Sequence, residues 1–134
     1  MYLIDTDVLS AARKLPPDHP VVVWLRSRSA ATYISVVTVM EIERGVEKQR
    51  RIDPPFAADL EAWLSDTLTI FDSRVLPITM QIARRWGRLQ TQLARADNDL
   101  PIAATALEHD LQIVTRNVRH FDQTGVVIVN PFEG

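Results

Sequence analysis

Five side chains carry oxygens at places where a short apolar run meets a helical pattern. Asp5 follows Tyr2-Leu3-Ile4 directly, with Asp7 two residues on. Glu41 falls in the first turn of the helix expected after Tyr33-Ile34-Ser35-Val36, and Asp99 opens the helix ahead of Gln112-Ile113-Val114-Thr115. Asn117 follows that last run. Carboxylates brought together repel one another, and a divalent cation is the usual resolution. An all-oxygen donor set of this kind suits Mg²⁺ or Mn²⁺. The chain contains no cysteine, which excludes disulfides, thiolate-bound zinc and a cysteine nucleophile.

Each acid also has a purely local use. Asp99 ahead of Pro101 has the form of a helix N-cap. Thr38 and Glu41 have the spacing of a capping box. Asp5 or Asp7 can cap a helix running through Ser10 and Ala11. Asp5 is the hardest to explain this way: a lone carboxylate at the end of a core strand costs several kcal/mol unless it is paired.

The elements that would position these groups alternate. Strands are expected at Tyr2–Ile4, Tyr33–Val36, Val75-Leu76 with Ile78, Gln112–Thr115 and Val126–Val129. Helical spacing follows Asp53-Pro54-Pro55, where proline is tolerated in the first turn, through Phe56, Leu60, Trp63, Leu64 and Thr67. Thr79 can cap the next helix, with Ile82, Ala83, Trp86, Leu89 and Leu93 on its apolar face. The helix from Asp99 carries Ile102, Ala103, Ala106 and Leu107. Strands apolar on both faces, alternating with helices, predict an α/β fold with a parallel sheet of about five strands flanked by helices. In such a sheet ligands bind outside the carboxyl ends of the strands, where these oxygens fall. Pro16-Pro17 and the charged stretch Glu47–Arg51 read as turns, Val21–Leu25 and Ile102–Leu107 as core elements.

With 134 residues, 46% of them hydrophobic and 24% charged, the chain reads as a single domain over 1–134 with a core of its own. Fifteen basic and 17 acidic residues leave a formal net charge of −2, so no overall positive field draws it to nucleic acid or an anionic membrane. Only Lys14 and Lys48 are lysines; the other basic residues are arginines, which bind phosphate and carboxylate in planar, bidentate fashion. Neither a signal peptide nor a membrane-length apolar run is visible, so a cytoplasmic protein is expected.

Four segments together resemble PIN-domain nucleases. Leu3-Ile4-Asp5-Thr6-Asp7-Val8-Leu9-Ser10 resembles the opening motif, which usually reads Asp-Thr-Asn. Thr38-Val39-Met40-Glu41-Ile42-Glu43-Arg44-Gly45 resembles the second, with a glycine four residues after its Glu. Asp99-Leu100-Pro101-Ile102-Ala103-Ala104-Thr105-Ala106 resembles the third, and Val114-Thr115-Arg116-Asn117-Val118-Arg119-His120-Phe121 the fourth. Order and spacing agree over essentially the whole chain, most closely with VapC/FitB-type toxins of type II toxin–antitoxin pairs.

The resemblance implies a PIN-like fold and a Mg²⁺-dependent (or Mn²⁺-dependent) endoribonuclease, with a cognate antitoxin and a homodimer. It makes Asp5, Glu41 and Asp99 the metal-binding acids, with Asn117 as a fourth catalytic polar residue and Thr115 in support. Products with a 5′-phosphate and a 3′-hydroxyl are expected. Thr115, Arg116, Arg119 and Arg88 are the candidates for contact with RNA; Arg84, Arg88 and Arg95 fall near one helix face. The chain departs from the family pattern at Asp7, at Asn117, which removes a charge, and at His120, which is assigned no ligand role. Two rivals stand beside this reading. Asp5-Thr6-Asp7-Val8-Leu9 also fits a haloacid-dehalogenase-like phosphatase with Asp5 as nucleophile, although that fold needs a suitably placed lysine. A catalytically idle PIN binding module is the other.

Overall fold

Two of the five expected strands feed the site, and the sheet order explains why. A computed structural model of the chain describes residues 1–133. The strands are β1 (Tyr2–Ile4), β2 (Thr32–Ser35), β3 (Val75–Leu76), β4 (Gln112–Val114) and β5 (Ile128–Val129). The helices are α1 (Thr6–Ala12), α2 (Pro20–Ser27), α3 (Val36–Arg50), α4 (Pro54–Phe71), α5 (Met80–Leu93), α6 (Asp99–His109) and α7 (Val118–Phe121). All strand pairs are parallel, in the order β3-β2-β1-β4-β5. The chain therefore builds outward from β1 to β3, then returns to lay β4 against the other side of β1. The carboxyl ends of β1 and β4 flank that reversal, the place where open α/β sheets form a crevice.

Alternation along each strand divides the core into two layers. Leu3 and Ile113 point into one, with Ile82 and Leu89 of α5, Ile102 and Ala106 of α6, and Phe121 of α7. Ile4, Ile34 and Val114 point into the other, with Val8 of α1, Ile42 of α3, and Leu64 and Phe71 of α4. Neighbouring strand residues face opposite sides, so each strand must be apolar at nearly every position. Ile102–Ala106 is wholly buried, as expected of a core element.

The strands are shorter than their apolar runs. Val36 is the first residue of α3, because Ser35 caps that helix by accepting the Val37 N–H (3.0 Å). Ile78, Thr115 and Val126-Val127 lie outside the strands, although the Val127 carbonyl still accepts from Ile113 N–H (2.8 Å). Glu47–Arg50 is the last turn of α3 and not a loop; Arg50 bridges Glu47 and Glu61 there, tying α3 to α4. Val21–Leu25 lies in α2 and runs right round that helix, so it is not a core element throughout: Val21 is buried, whereas Val23 is 51% exposed. Asp53 and Thr79 cap α4 and α5 as expected.

Candidate active site

None of the three acids expected to bind metal is used as a helix cap. Asp5 occupies the N-cap position of α1, yet its carboxylate makes no bond to the helix N–H groups. Its Oδ2 accepts the Thr115 hydroxyl instead (2.9 Å). Glu41 is not half of a capping box, since Ser35 is the cap and Thr38 lies buried within the helix. Its Oε1 accepts the Thr6 hydroxyl (2.8 Å), whose oxygen also lies 2.8 Å from that of Thr38. Asp99 is the first residue of α6, one place past the N-cap position.

Asp5, Asp7, Glu41, Asp99, Asn117 and His120 line one groove of about 350 Å³ at the crevice between β1 and β4. The Asp5 N–H donates to the Val114 carbonyl (2.9 Å), which locks the end of β1 against β4. Burial pushes the Asp5 carboxyl up from an ordinary 3.8 to about 6; the Thr115 hydroxyl opposes this, while the charges of Asp99, Asp7 and Glu41 add to it. Asp99 is also raised, chiefly by burial, with the facing His120 holding it down. The His120 Nδ1 stands 3.0 Å from the Asp99 Oδ2, and the Arg95 guanidinium 3.8 Å from it.

The other candidates separate by position. Thr115 is fully buried, donates to Asp5 and accepts the Asn117 N–H (3.0 Å), so it positions Asp5 and does not face substrate. Asn117 donates its side-chain amide to Asp7 (3.0 Å). Arg116 pairs with the same carboxylate (3.0 Å) and lies over the Phe132 ring (4.9 Å), so it braces Asp7. Asp7 is thus held by both residues that follow Thr115. Arg119 lines an adjoining hollow with Arg95, Asp99 and His120. Arg88 does not join the site: it lines a separate hollow on α5 with Arg84 and Thr91. The three arginines expected on one face do not act together: Arg84 and Arg88 share that hollow, whereas Arg95 folds over Asp97.

Two participants were not legible as such in the sequence. His120 sits one turn beyond Asn117, whose carbonyl accepts its N–H (3.0 Å). That i+3 spacing, on a helix opening at a site residue, was the available signal. Arg95 is delivered by the left-handed Ala94 that ends α5 (φ 53°), and it donates to the His120 carbonyl (2.9 Å).

Apart from the His120 imidazole, which faces Asp99, the groove's donor atoms are carboxylate, amide and hydroxyl oxygens, which fit a hard divalent cation. Among the described residues no three acids or imidazoles already stand together as a cage. Thr6 holds Glu41 on one side, and His120 with Arg95 draws Asp99 toward the other.

A parallel sheet with this order, and acids gathered at the β1–β4 crevice, defines a carboxylate site on an α/β scaffold. The family model for the PIN domain matches residues 2–127, and the chain belongs to that family. It is 32% identical to the VapC ribonuclease Y4jK of Sinorhizobium fredii, covering 99% of each chain. Among solved structures it resembles FitAcB from Neisseria gonorrhoeae, with a TM-score of 0.85 at 29% identity over 100% of both chains. A toxin–antitoxin complex from Klebsiella pneumoniae matches with a TM-score of 0.75 at 25% identity, again over 100% of both. Membership of this family sets aside the phosphatase reading of Asp5. Lys48, in the last turn of α3, lines a separate hollow with Arg44, Glu47 and Arg51 and is not among the residues lining the acid groove.

Proposed function

We propose that the chain is a Mg²⁺- or Mn²⁺-dependent endoribonuclease, the toxin of a type II toxin–antitoxin pair. The observation that carries the reading is that Asp5, Glu41 and Asp99 line one groove and none of them is used as a helix cap. A fold needs no such cluster for its own stability. The raised Asp5 shows that it works against stability at neutral pH.

Asp5 and Asp99, with Glu41, are the residues that would hold the metal. When bound, the cation supplies positive charge for the phosphoryl oxygens and acidifies water. The remaining work falls to the chain. Thr115 fixes the Asp5 carboxylate in one orientation at the floor of the groove. Thr6 fixes Glu41, which accepts the proton of the attacking water as general base. Asn117 contributes an amide where a fifth carboxylate would add repulsion, and together with Arg116 it anchors Asp7. Arg119, exposed beside Asp99 and His120, is placed to meet an RNA phosphate as the strand leaves the acids. Cleavage leaves a 5′-phosphate and a 3′-hydroxyl.

The resemblance to a toxin–antitoxin complex supports an antitoxin partner, and a homodimer acting in the cytoplasm completes the proposal. Among the described residues no helix is long and apolar enough to cross a membrane. Trp86 is only half-buried and leaves aromatic surface for a second chain, whereas Phe71 is in the core. The test is cleavage of end-labelled RNA by the purified chain with Mg²⁺, with Mn²⁺ and with EDTA. Cutting in the first two and none in the third is the expected result. A folded protein that cuts equally in EDTA would overturn the metal-dependent reading, and one that cuts no RNA would favour the idle module.

A further inference from the structure

A second hollow, of about 230 Å³, opens beside the acid groove, between α1, α3 and α4. It shares Thr6, Ser10 and Glu41 with the acid groove, so the two run into each other. Beyond those residues its walls are Arg13, Gly45, Phe56, Leu60 and Trp63. The Arg13 guanidinium lies over both rings, 5.3 Å from the Phe56 centroid and 5.9 Å from that of Trp63. Lys14 stands at the same opening. Among the described residues neither cation makes an ion pair.

Gly45 is the telling residue. It sits inside α3, four residues after Glu41, hence on the same face. Glycine is a poor helix former, and this one needs no unusual backbone angle. A Cβ there would meet nothing within 4 Å, so no neighbouring chain forces the glycine either. What its bare backbone does is leave the hollow open beside Glu41.

We propose that this hollow is a nucleobase subsite of the ribonuclease. The nucleotide next to the scissile phosphate turns its base out of the strand and into the hollow. There the base lies against the Arg13 plane that the Trp63 and Phe56 rings back, while Lys14 faces its phosphate. Three observations favour RNA over a protein segment. The hollow is continuous with the groove where the scissile phosphate must sit. It is smaller than the roughly 300–1,000 Å³ of a drug-sized pocket and suits one flat ring. Its unpaired cations complement a phosphate backbone. Recognition of single-stranded RNA works through unstacked bases laid on aromatic rings and guanidinium planes.

The inference rests on the ribonuclease reading, and one assay separates the two. Single-stranded RNA hexamers that differ in the base flanking the cut are cleaved in Mg²⁺ by the wild type and by G45L, W63F and W63A. Circular dichroism confirms that each variant is folded; G45L adds a better helix former, so it can be compared even if W63A unfolds. W63A should raise KM roughly 5- to 100-fold with kcat within about threefold, as loss of the ring behind the Arg13 stacking surface demands. W63F should recover most of that loss, and G45L should lose the wild type's base preference. Unchanged KM and base preference in G45L and W63A would overturn the subsite and leave the nuclease reading standing. The same follows if G45L weakens only the complex with the antitoxin, since the hollow would then be a protein-docking site. No metal-dependent cutting by the wild type would remove both readings.

Discussion

An asparagine in place of Asp5 keeps the side chain's shape and an acceptor oxygen for the Thr115 hydroxyl, and it removes a charge the site disfavours. Asp5 is 4% exposed, and its carboxyl is raised from 3.8 to about 6. The folded state therefore holds the Asp5 proton more tightly than the unfolded state does. This contribution to stability is complete below about pH 4 and is lost as pH rises through about 6. At about 1.4 kcal/mol per tenfold change in acidity, the loss amounts to about 3 kcal/mol. D5N does not titrate in this range, so its stability relative to wild type should grow by that amount between pH 3.5 and pH 7.5. For a chain of this length that is a difference in Tm on the order of 10 °C. Urea and thermal unfolding in EDTA, followed by tryptophan fluorescence across this pH range, would measure it. Adding Mg²⁺ at pH 7.5 should then raise the wild-type midpoint and leave D5N where it was. A gap independent of pH, or a D5N protein less stable than wild type at pH 7.5, would refute the reasoning about Asp5.

Further outcomes follow from the same contacts. T115V keeps the packing volume but removes the bond to Asp5 and the acceptor for the Asn117 N–H. It should cost about 2 kcal/mol by urea unfolding and move the acid limb of the rate profile to higher pH, since the hydroxyl holds Asp5 down. E41Q retains the bond from Thr6, so its stability should stay within about 0.5 kcal/mol while RNA cleavage falls roughly 10²- to 10⁴-fold. A94G relieves a left-handed alanine at the end of α5 and should add about 1 kcal/mol, read as a higher urea midpoint.

How much of this was legible in the sequence depended on whether local pattern or distant contact decides each residue. All five strands were visible because a strand buried on both faces is apolar throughout. Their ends were less so, because Val36 is as apolar as its strand neighbours and only the Ser35 cap turns it into a helix. Asp5 and Asp7 were found where β1 runs into α1, Asn117 after β4 and Asp99 at the start of α6; Glu41, expected in the first turn of its helix, lies in the second turn of α3. What holds these groups was not legible. Thr115 and Asp5 are 110 residues apart in the chain, and the register of β1 on β4 brings them together. Thr38 and Glu41 have capping-box spacing, but the helix starts a turn earlier, so the pattern misled. Arg88 and Arg95 share a helix face by spacing. The end of α5 nevertheless carries Arg95 over Asp97 and leaves Arg88 elsewhere.

The central claim is that Asp5 sacrifices stability for metal-dependent RNA cleavage. The most direct measurement pairs two readings on the same preparations: cleavage of end-labelled RNA in Mg²⁺, and the unfolding midpoint at pH 7.5. The account predicts that D5N is the more stable protein and cuts no RNA, while the wild type cuts to 5′-phosphate ends. A D5N protein that melts higher and still cuts at the wild-type rate would contradict it.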